Sequence, residues 1–145
     1  MKTRCNLIID SCCDLPVEIV DRPGVTMIGF PYVLHGVEHV DDLYQTNTAH
    51  EFFDAMRDKK SELPTTSQMP TRTLTKTFEE ALSSGVPTVY LSFDSALSGS
   101  FDSATLICQT LQEQYPDGKL YCVDTHIASI AEGLLVESAI EQREE

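Results

Sequence analysis

Apolar and polar positions along the chain form blocks that predict strands, each followed by a loop and a helix. Short apolar runs at Cys5–Ile9, Val86–Phe93 and Lys119–Val123 are typical of buried strands. After each run come a polar segment and then apolar positions at helical spacing. Because parallel strands are joined by helical crossovers, this order predicts an α/β domain with a mostly parallel sheet and helices on both faces.

The region after the first strand has a different pattern. Val25–Leu34 is rich in β-branched and apolar residues and predicts one strand that meets an edge or bend at Pro31. His35-Gly36 is typical of a turn, and Val37–Val40 predicts a short return strand. A hairpin is therefore expected at this point of the chain.

Two helices are predicted in the middle of the chain. Thr48-Ala49-His50-Glu51 has the spacing of a capping box and begins a helix expected to run to about Lys60. Another is expected from about Thr71 to Gly85, and the hydroxyl-rich loop Leu63–Pro70 separates the two. Three aromatic residues fall on the apolar stripes of these helices and are predicted to be core residues: Phe52, Phe53 and Phe78.

Length and composition predict one domain. A chain of 145 residues with 41% apolar and 23% charged residues fits a single globular core. No apolar run approaches the roughly 18–20 residues of a membrane span, and the start lacks the apolar centre of a secretory signal. We therefore expect a cytoplasmic protein without stable membrane insertion.

Charge and cysteine content exclude some classes of partner. The formal net charge is −13 and the ten Lys and Arg residues are scattered, whereas nucleic-acid binders cluster such residues. The five cysteines are an odd number without C-x-x-C spacing. We expect no nucleic-acid partner, and we interpret the cysteines as reduced core or lining residues.

Polar loops follow the predicted strands, where open parallel sheets bind ligands. The loops are Asp10-Ser11, Ser95–Ser100 and Asp124-Thr125, and the Thr66-Ser67 loop is a plausible fourth wall. Ser98-Gly99-Ser100 suits an anion, because hydroxyls and backbone N–H groups at a helix start are oriented donors. The alternative is that these serines merely cap a helix in solvent.

Catalytic and metal chemistry have weaker support. A small hydrolase could use Ser98, His126 and Asp10, but the sequence S-A-L-S-G is not the G-x-S-x-G elbow. Phosphotransfer on Asp10 lacks a second acid two residues later, and the sequence contains no P-loop. We interpret His35 and His39 as part of a solvated hairpin and expect no catalytic residue, metal or cofactor.

Four motifs in order resemble the DegV family over nearly the whole chain. They are Ile9–Pro16 (I-D-S-C-C-D-L-P), Thr66–Pro70 (T-S-Q-M-P), Leu97–Phe101 (L-S-G-S-F) and Asp124–Ser129 (D-T-H-I-A-S). The resemblance implies a bacterial fatty-acid-binding protein of two α/β domains, with no catalytic role, that serves phospholipid metabolism. It would bury a long-chain fatty acid and present the carboxylate to a separate fatty acid kinase subunit, which forms the acyl-phosphate.

The resemblance also implies the ligand-binding residues. Thr66 and Ser98 match the family's carboxylate-binding threonine and serine, and Ser67, Gly99 and Ser11 lie in the same motifs. The chain departs from the family where threonine is common, with Cys12 and Ser100, and Ala131 replaces a usual glycine.

The largest departure from the family is the length of 145 residues, from which we expect either a truncation before the family's second, lid-like domain or a partner domain that lies elsewhere. We expect residues 1–145 to be a single DegV-like N-terminal domain, truncated before that second domain. Two alternatives remain beside the carrier: an enzyme using the Asp10, Ser98 and His126 loops, and an interaction fragment. In the second, the face left by the missing domain would form a homodimer.

Overall fold

Strands and helices alternate through the residues that the computed structural model describes, which are 4–57 and 62–144. In chain order the elements are β1 (Asn6–Asp10), a 3₁₀ helix (Ser11–Cys13), α1 (Val17–Val20), β2 (Val25–Ile28), β3 (Pro31–Leu34), β4 (Val37–Val40), α2 (Ala49–Arg57), β5 (Thr65–Thr66), α3 (Thr71–Ser83), β6 (Thr88–Ser92), α4 (Ser100–Gln114), β7 (Leu120–Asp124) and α5 (Ile130–Glu144). The predicted α/β fold is confirmed.

A four-stranded parallel sheet in the order β2-β1-β6-β7 forms the centre of the molecule. Successive side chains of β1 point to opposite faces of this sheet. Ile8 packs with Phe78 of α3 on one face, whereas Leu7 and Ile9 pack with Val136 of α5 on the other. Helices therefore cover both faces, as predicted.

A second, antiparallel sheet in the order β4-β3-β5 was not predicted as a separate sheet. The prediction of one strand over Val25–Leu34 is wrong, because the chain leaves the central sheet after Ile28 and begins β3 at Pro31. Proline has no N–H for a ladder hydrogen bond, so it suits the start of a strand. At Gly29 a Cβ would lie 2.1 Å from the Asp41 carbonyl oxygen, so only glycine permits this close approach.

Local signals in this region are confirmed. His35 and Gly36 both have positive φ, 52° and 74°, as a two-residue hairpin turn requires. Thr48 N donates to Glu51 Oε2 (3.0 Å) and Glu51 N donates to Thr48 Oγ1 (3.3 Å), which is the predicted capping box. The predicted helix end near Lys60 lies outside the described residues. None of the described helices is long and apolar enough to cross a bilayer.

Candidate functional site

A cavity of about 500 Å³ lies between the carboxyl end of the central sheet and the small antiparallel sheet. Its volume is within the roughly 300–1,000 Å³ that is usual for small-molecule sites. Much of its wall is apolar or aromatic, and these lining residues are Phe30, Tyr32, Tyr44, Phe52, Phe93 and Leu97. The cavity can therefore bury a mainly apolar ligand.

Paired aromatic rings stiffen this wall. Phe30 and Phe93 meet edge to face with ring centroids 6.1 Å apart, and Tyr32 meets Phe52 in the same way at 5.5 Å. Such pairs contribute about 0.5–1.5 kcal/mol beyond their buried area. The apolar wall is thus formed largely before any ligand enters.

The aromatic residues predicted as core have different positions. Phe78 is fully buried, as predicted, but Phe52 lines the cavity and Phe53 is exposed, so the prediction is wrong for both residues of α2. Helical spacing identifies an apolar face but does not tell whether a core or a cavity lies opposite. Here α2 packs beside the small sheet, where Phe52 contacts Tyr32.

The first hydroxyl loop is positioned by the small sheet. Thr66 in β5 pairs with Tyr32 of β3, and the next residue, Ser67, donates its backbone N–H to Pro31 O (3.4 Å). Both Thr66 and Ser67 line the cavity. The buried side chain of Met69 then anchors the loop in the main core.

The second hydroxyl loop precedes α4, where Gly99 is the N-cap residue and Ser100 begins the helix, as predicted. Ser98 Oγ and Ser100 Oγ form a hydrogen bond (3.0 Å), and Ser98 Oγ accepts from the Ser100 backbone N–H (3.2 Å). Ser100 Oγ also accepts from Met69 N (3.2 Å), which belongs to the first loop. The two hydroxyl loops are therefore joined directly.

Four of the five residues assigned to ligand binding line this one cavity: Thr66, Ser67, Ser98 and Gly99. Ser11 is not among the described lining residues. It is fully buried in the 3₁₀ helix, and its Oγ accepts from Phe30 N (3.0 Å). Ser11 therefore supports the wall from behind instead of facing the cavity.

Asp10 joins the ends of the two central strands. Its carboxylate accepts from Cys12 N (3.0 Å) and from Phe93 N (2.9 Å), and both of those residues line the cavity. Burial raises the pKa of Asp10 to about 6, although these two hydrogen bonds oppose the shift. Burial, and then the charge of Asp10, also raises the pKa of the Cys12 thiol well above its usual range. The thiol at the cavity wall is therefore neutral and a poor nucleophile.

The charged residues among the described lining of the cavity are all acidic. Asp41 and Asp42 line it, while no Arg, Lys or His is found among its described lining residues. Asn47 Nδ2 donates to the Tyr32 hydroxyl (2.9 Å) and lies 3.2 Å from Nδ1 of His39, whose ring stacks on Tyr32. An anion in this cavity would therefore depend on neutral hydrogen-bond donors.

The residues of the hydrolase alternative are not joined to one another. Ser98 Oγ bonds to Ser100, and Asp10 accepts from two backbone N–H groups. The exposed His126 has its Nδ1 3.1 Å from Asp124 Oδ2. Among the hydrogen bonds of the residues described, none connects any two of Ser98, Asp10 and His126.

Asp94, Asp124 and His126 offer ligand atoms within 4.8 Å of one another, which is compatible with a metal ion. The two carboxylates already accept hydrogen bonds from backbone N–H groups of the local turns. Asp124 Oδ1 accepts from Ser95 N and His126 N, and Asp94 Oδ1 accepts from Ala96 N. Turn capping accounts for this cluster.

Several lining residues were not found from the sequence. Gln68 lies inside the T-S-Q-M-P motif, and Phe93 follows the strand end where ligands bind in parallel sheets, so both carried a usable signal. Tyr32 and Asn47 carried none, because the docking of the small sheet brings them to the cavity.

The fold and the cavity define an α/β domain with a ligand-sized site at the carboxyl end of its parallel sheet. The family model described as "Uncharacterised protein, DegV family" matches residues 4–145. The chain belongs to the DegV family.

Curated relatives agree with this family. A DegV domain-containing protein of Clostridium perfringens is 31% identical over 139 residues, covering 96% of this chain and 47% of the relative. One of Streptococcus pyogenes is 30% identical over 141 residues, covering 95% and 48%. The chain thus spans about half the length of these relatives.

Solved structures share the fold. A DegV family protein from Thermus thermophilus, described as binding fatty acid, is 30% identical with a TM-score of 0.78, covering 96% of this chain and 48% of that one. A stearic acid-binding protein from Eubacterium ventriosum has a TM-score of 0.84 at 24% identity, covering 97% and 47%. The second likeness bears on the fold alone.

Proposed function

We propose that this chain binds a long-chain fatty acid, with the acyl chain in the aromatic cavity and the carboxylate at Thr66 and Ser98. One observation carries the proposal: two hydroxyl loops from separate parts of the chain line one ligand-sized cavity with a largely aromatic wall. The Thermus thermophilus relative, 30% identical and described as binding fatty acid, supports it.

The energetics favour this orientation of the ligand. Burying a sixteen-carbon chain contributes on the order of 12 kcal/mol before binding costs, at about 0.8 kcal/mol per methylene. The carboxylate is expensive to bury without donors, and Asp41 and Asp42 would repel it. Neutral hydroxyls offset the cost of burial without a tight ion pair that would oppose release or phosphorylation.

The chain is proposed to be a carrier and not an enzyme. It would present the carboxylate to a separate fatty acid kinase subunit, which would transfer phosphate to it. The exposure of Leu97, 68%, beside Ser98 supports access of a second protein to this end of the cavity. Such a kinase would form acyl-phosphate from ATP and the fatty acid bound to this protein. The acyl-phosphate can be trapped with hydroxylamine and measured as acyl hydroxamate. No hydroxamate above the level with free fatty acid would contradict the carrier role.

Replacement of both hydroxyls tests the binding site. After expression in bacteria, native mass spectrometry should show an acyl-chain mass on the wild type. The double variant T66A/S98A should bind fatty acid about 100-fold more weakly, because two hydrogen bonds to a charged group are lost.

The matched control is T73A/S103A, which removes two hydroxyls on α3 and α4 that do not line the cavity. Its fatty-acid affinity should equal that of the wild type. If T66A/S98A binds as tightly as this control, the carboxylate does not lie at these loops.

A further inference from the structure

Ser100 joins the two loops of the cavity while being buried itself. Its side chain is 1% exposed, and Ser100 is not among the described residues that line the cavity. Its Oγ accepts from Met69 N (3.2 Å) and lies 3.0 Å from Ser98 Oγ. A ligand in the cavity would therefore meet Ser98 in front and Ser100 behind it.

The direction of the hydrogen bond between the two serines determines what Ser98 offers to a ligand. A hydroxyl has one proton and two lone pairs, and its proton rotates to suit its partners. If Ser98 donates to Ser100, Ser98 has no proton left for the cavity. If Ser100 donates to Ser98, Ser98 accepts from both the hydroxyl and the backbone N–H of Ser100, and its own proton is free.

A carboxylate accepts hydrogen bonds and cannot donate them, so it favours the second arrangement. In that state Ser100 accepts from Met69 N and donates to Ser98 Oγ, while Ser98 donates to the ligand. The hydroxyls of Ser98 and Ser100 then both have partners for donating and accepting. Each bond also polarises the next, which strengthens the donor that faces the anion.

We infer that Ser100 is a positioning residue that turns the Ser98 proton toward an anionic headgroup and so sets the preference for fatty acids over neutral lipids. This inference rests on the proposed function, because it assumes that the fatty-acid carboxylate meets Ser98. It adds a residue that does not touch the ligand and a preference that the two hydroxyl loops alone do not explain.

The experiment compares dodecanoate and 1-dodecanol as ligands of the whole chain. Dissociation constants are measured by fluorescence displacement for the wild type, S100A, S100T and the control S103A. S103A removes a serine hydroxyl from the same helix at a position that does not line the cavity. S100T keeps a hydroxyl that can accept from Met69 and donate to Ser98.

We expect S100A to lose the preference for dodecanoate over 1-dodecanol. S100A should bind dodecanoate about tenfold more weakly, because Ser98 loses the donor that orients its proton toward the carboxylate and polarises it. Its affinity for 1-dodecanol should change less than about threefold, because an alcohol can donate to Ser98. S100T and S103A should keep the wild-type ratio. If Ser100 had only a structural role, S100A would weaken the binding of both ligands equally.

Distinct outcomes overturn the two proposals. If the wild type binds neither ligand, the proposed function fails. If the wild type binds dodecanoate and S100A keeps the same ratio of the two dissociation constants, the role of Ser100 fails and fatty-acid binding stands. If S100A does not fold, as judged by circular dichroism, S100C of nearly equal volume takes its place, since a thiol is a weak donor and acceptor.

Discussion

At the scale of single residues, Glu132 is the buried side chain with the most polar atoms that lack a hydrogen-bond partner in the described part of the chain. It is fully buried in the first turn of α5, and neither carboxylate oxygen has a hydrogen-bond partner among the residues described. Burial, and then the charges of Asp10 and Asp14, raise its pKa to about 9. Glu132 is therefore protonated at neutral pH in the folded protein.

This pKa predicts how stability depends on pH. The folded-state pKa lies above the usual value of 4.5, so the folded chain keeps a proton that the unfolded chain loses. The associated stability is fully present below about pH 4.5 and is lost as pH rises through about 9. E132Q cannot ionise, so its stability relative to the wild type should be greater at pH 8.5 than at pH 5.5 by on the order of 4 kcal/mol, at about 1.4 kcal/mol per pH unit.

Urea unfolding at both pH values measures this difference. The control is E141Q, which removes an exposed carboxylate from the same helix and should show no such pH dependence. A difference between E132Q and the wild type that is equal at pH 5.5 and 8.5 would show that Glu132 does not bind the proton.

Single residues were predictable from the sequence only where a motif carried them. Thr66 and Ser98 were identified through the DegV motifs, and both line the cavity. Ser11 was assigned to the ligand because it lies in the same motif set, but the 3₁₀ helix turns it to Phe30 N. Glu132 gave no signal, since an acid in the first turn of a helix ordinarily faces solvent near the positive end of the helix dipole.

At the scale of elements, the connection from β2 to β3 determines where the cavity forms. The chain crosses from the parallel sheet to the antiparallel sheet at Gly29-Phe30, and Asp41 N donates to Phe30 O (2.8 Å). Phe30 then faces the cavity beside Phe93. The close backbone approach at Gly29 is thus what brings the small sheet over the end of the large one.

A side chain at Gly29 should therefore be costly. In G29A the new Cβ would lie 2.1 Å from the Asp41 carbonyl oxygen, which is backbone and cannot rotate away. We expect a loss of about 2–3 kcal/mol in the free energy of unfolding, measured by urea titration, as for other overpacked sites.

The matched control is G99A, whose Cβ would lie 2.2 Å from Nε2 of Gln68, the end of a flexible side chain. Because that side chain can move, the free energy of unfolding of G99A should fall by less than about 1 kcal/mol. Equal losses for the two variants would show that the Gly29 approach does not constrain the fold.

Elements with local signals were predictable and elements formed by distant pairing were not. The strands of the parallel sheet, the hairpin turn and the capping box all depend on residues close in sequence. The strand β5 has only two residues, and it exists because Thr66 pairs with Tyr32, which lies more than thirty positions earlier. No window of the sequence around Thr66 contains that partner, so a loop was predicted there.

At the scale of the whole molecule, the cavity is a joint product of two sheets and of the loops between them. The order β2-β1-β6-β7 places β1 beside β6 and carries their continuations to opposite sides, which opens a crevice at their carboxyl ends. The small sheet and α2 form the other side of this crevice. Family resemblance identified the hydroxyl loops, whereas the aromatic wall required the packed structure.

The exposed apolar rim of this cavity leads to a prediction about assembly. Leu97 and Tyr44 line the cavity although they are 68% and 43% exposed. We propose that a second copy of the chain covers the rim, because a shared apolar patch suits a two-fold interface. The net charge of −13 opposes association, so the dimer fraction should rise with salt.

Sedimentation equilibrium at low and high salt measures the mass against 16.1 kDa for one chain. L97E should abolish the dimer, because it places two buried charges in a symmetric contact. L106E is the control, since Leu106 on α4 is 66% exposed but does not line the cavity. If L106E dissociates the chains and L97E does not, the interface lies on α4 and the cavity rim remains open to solvent or to another protein.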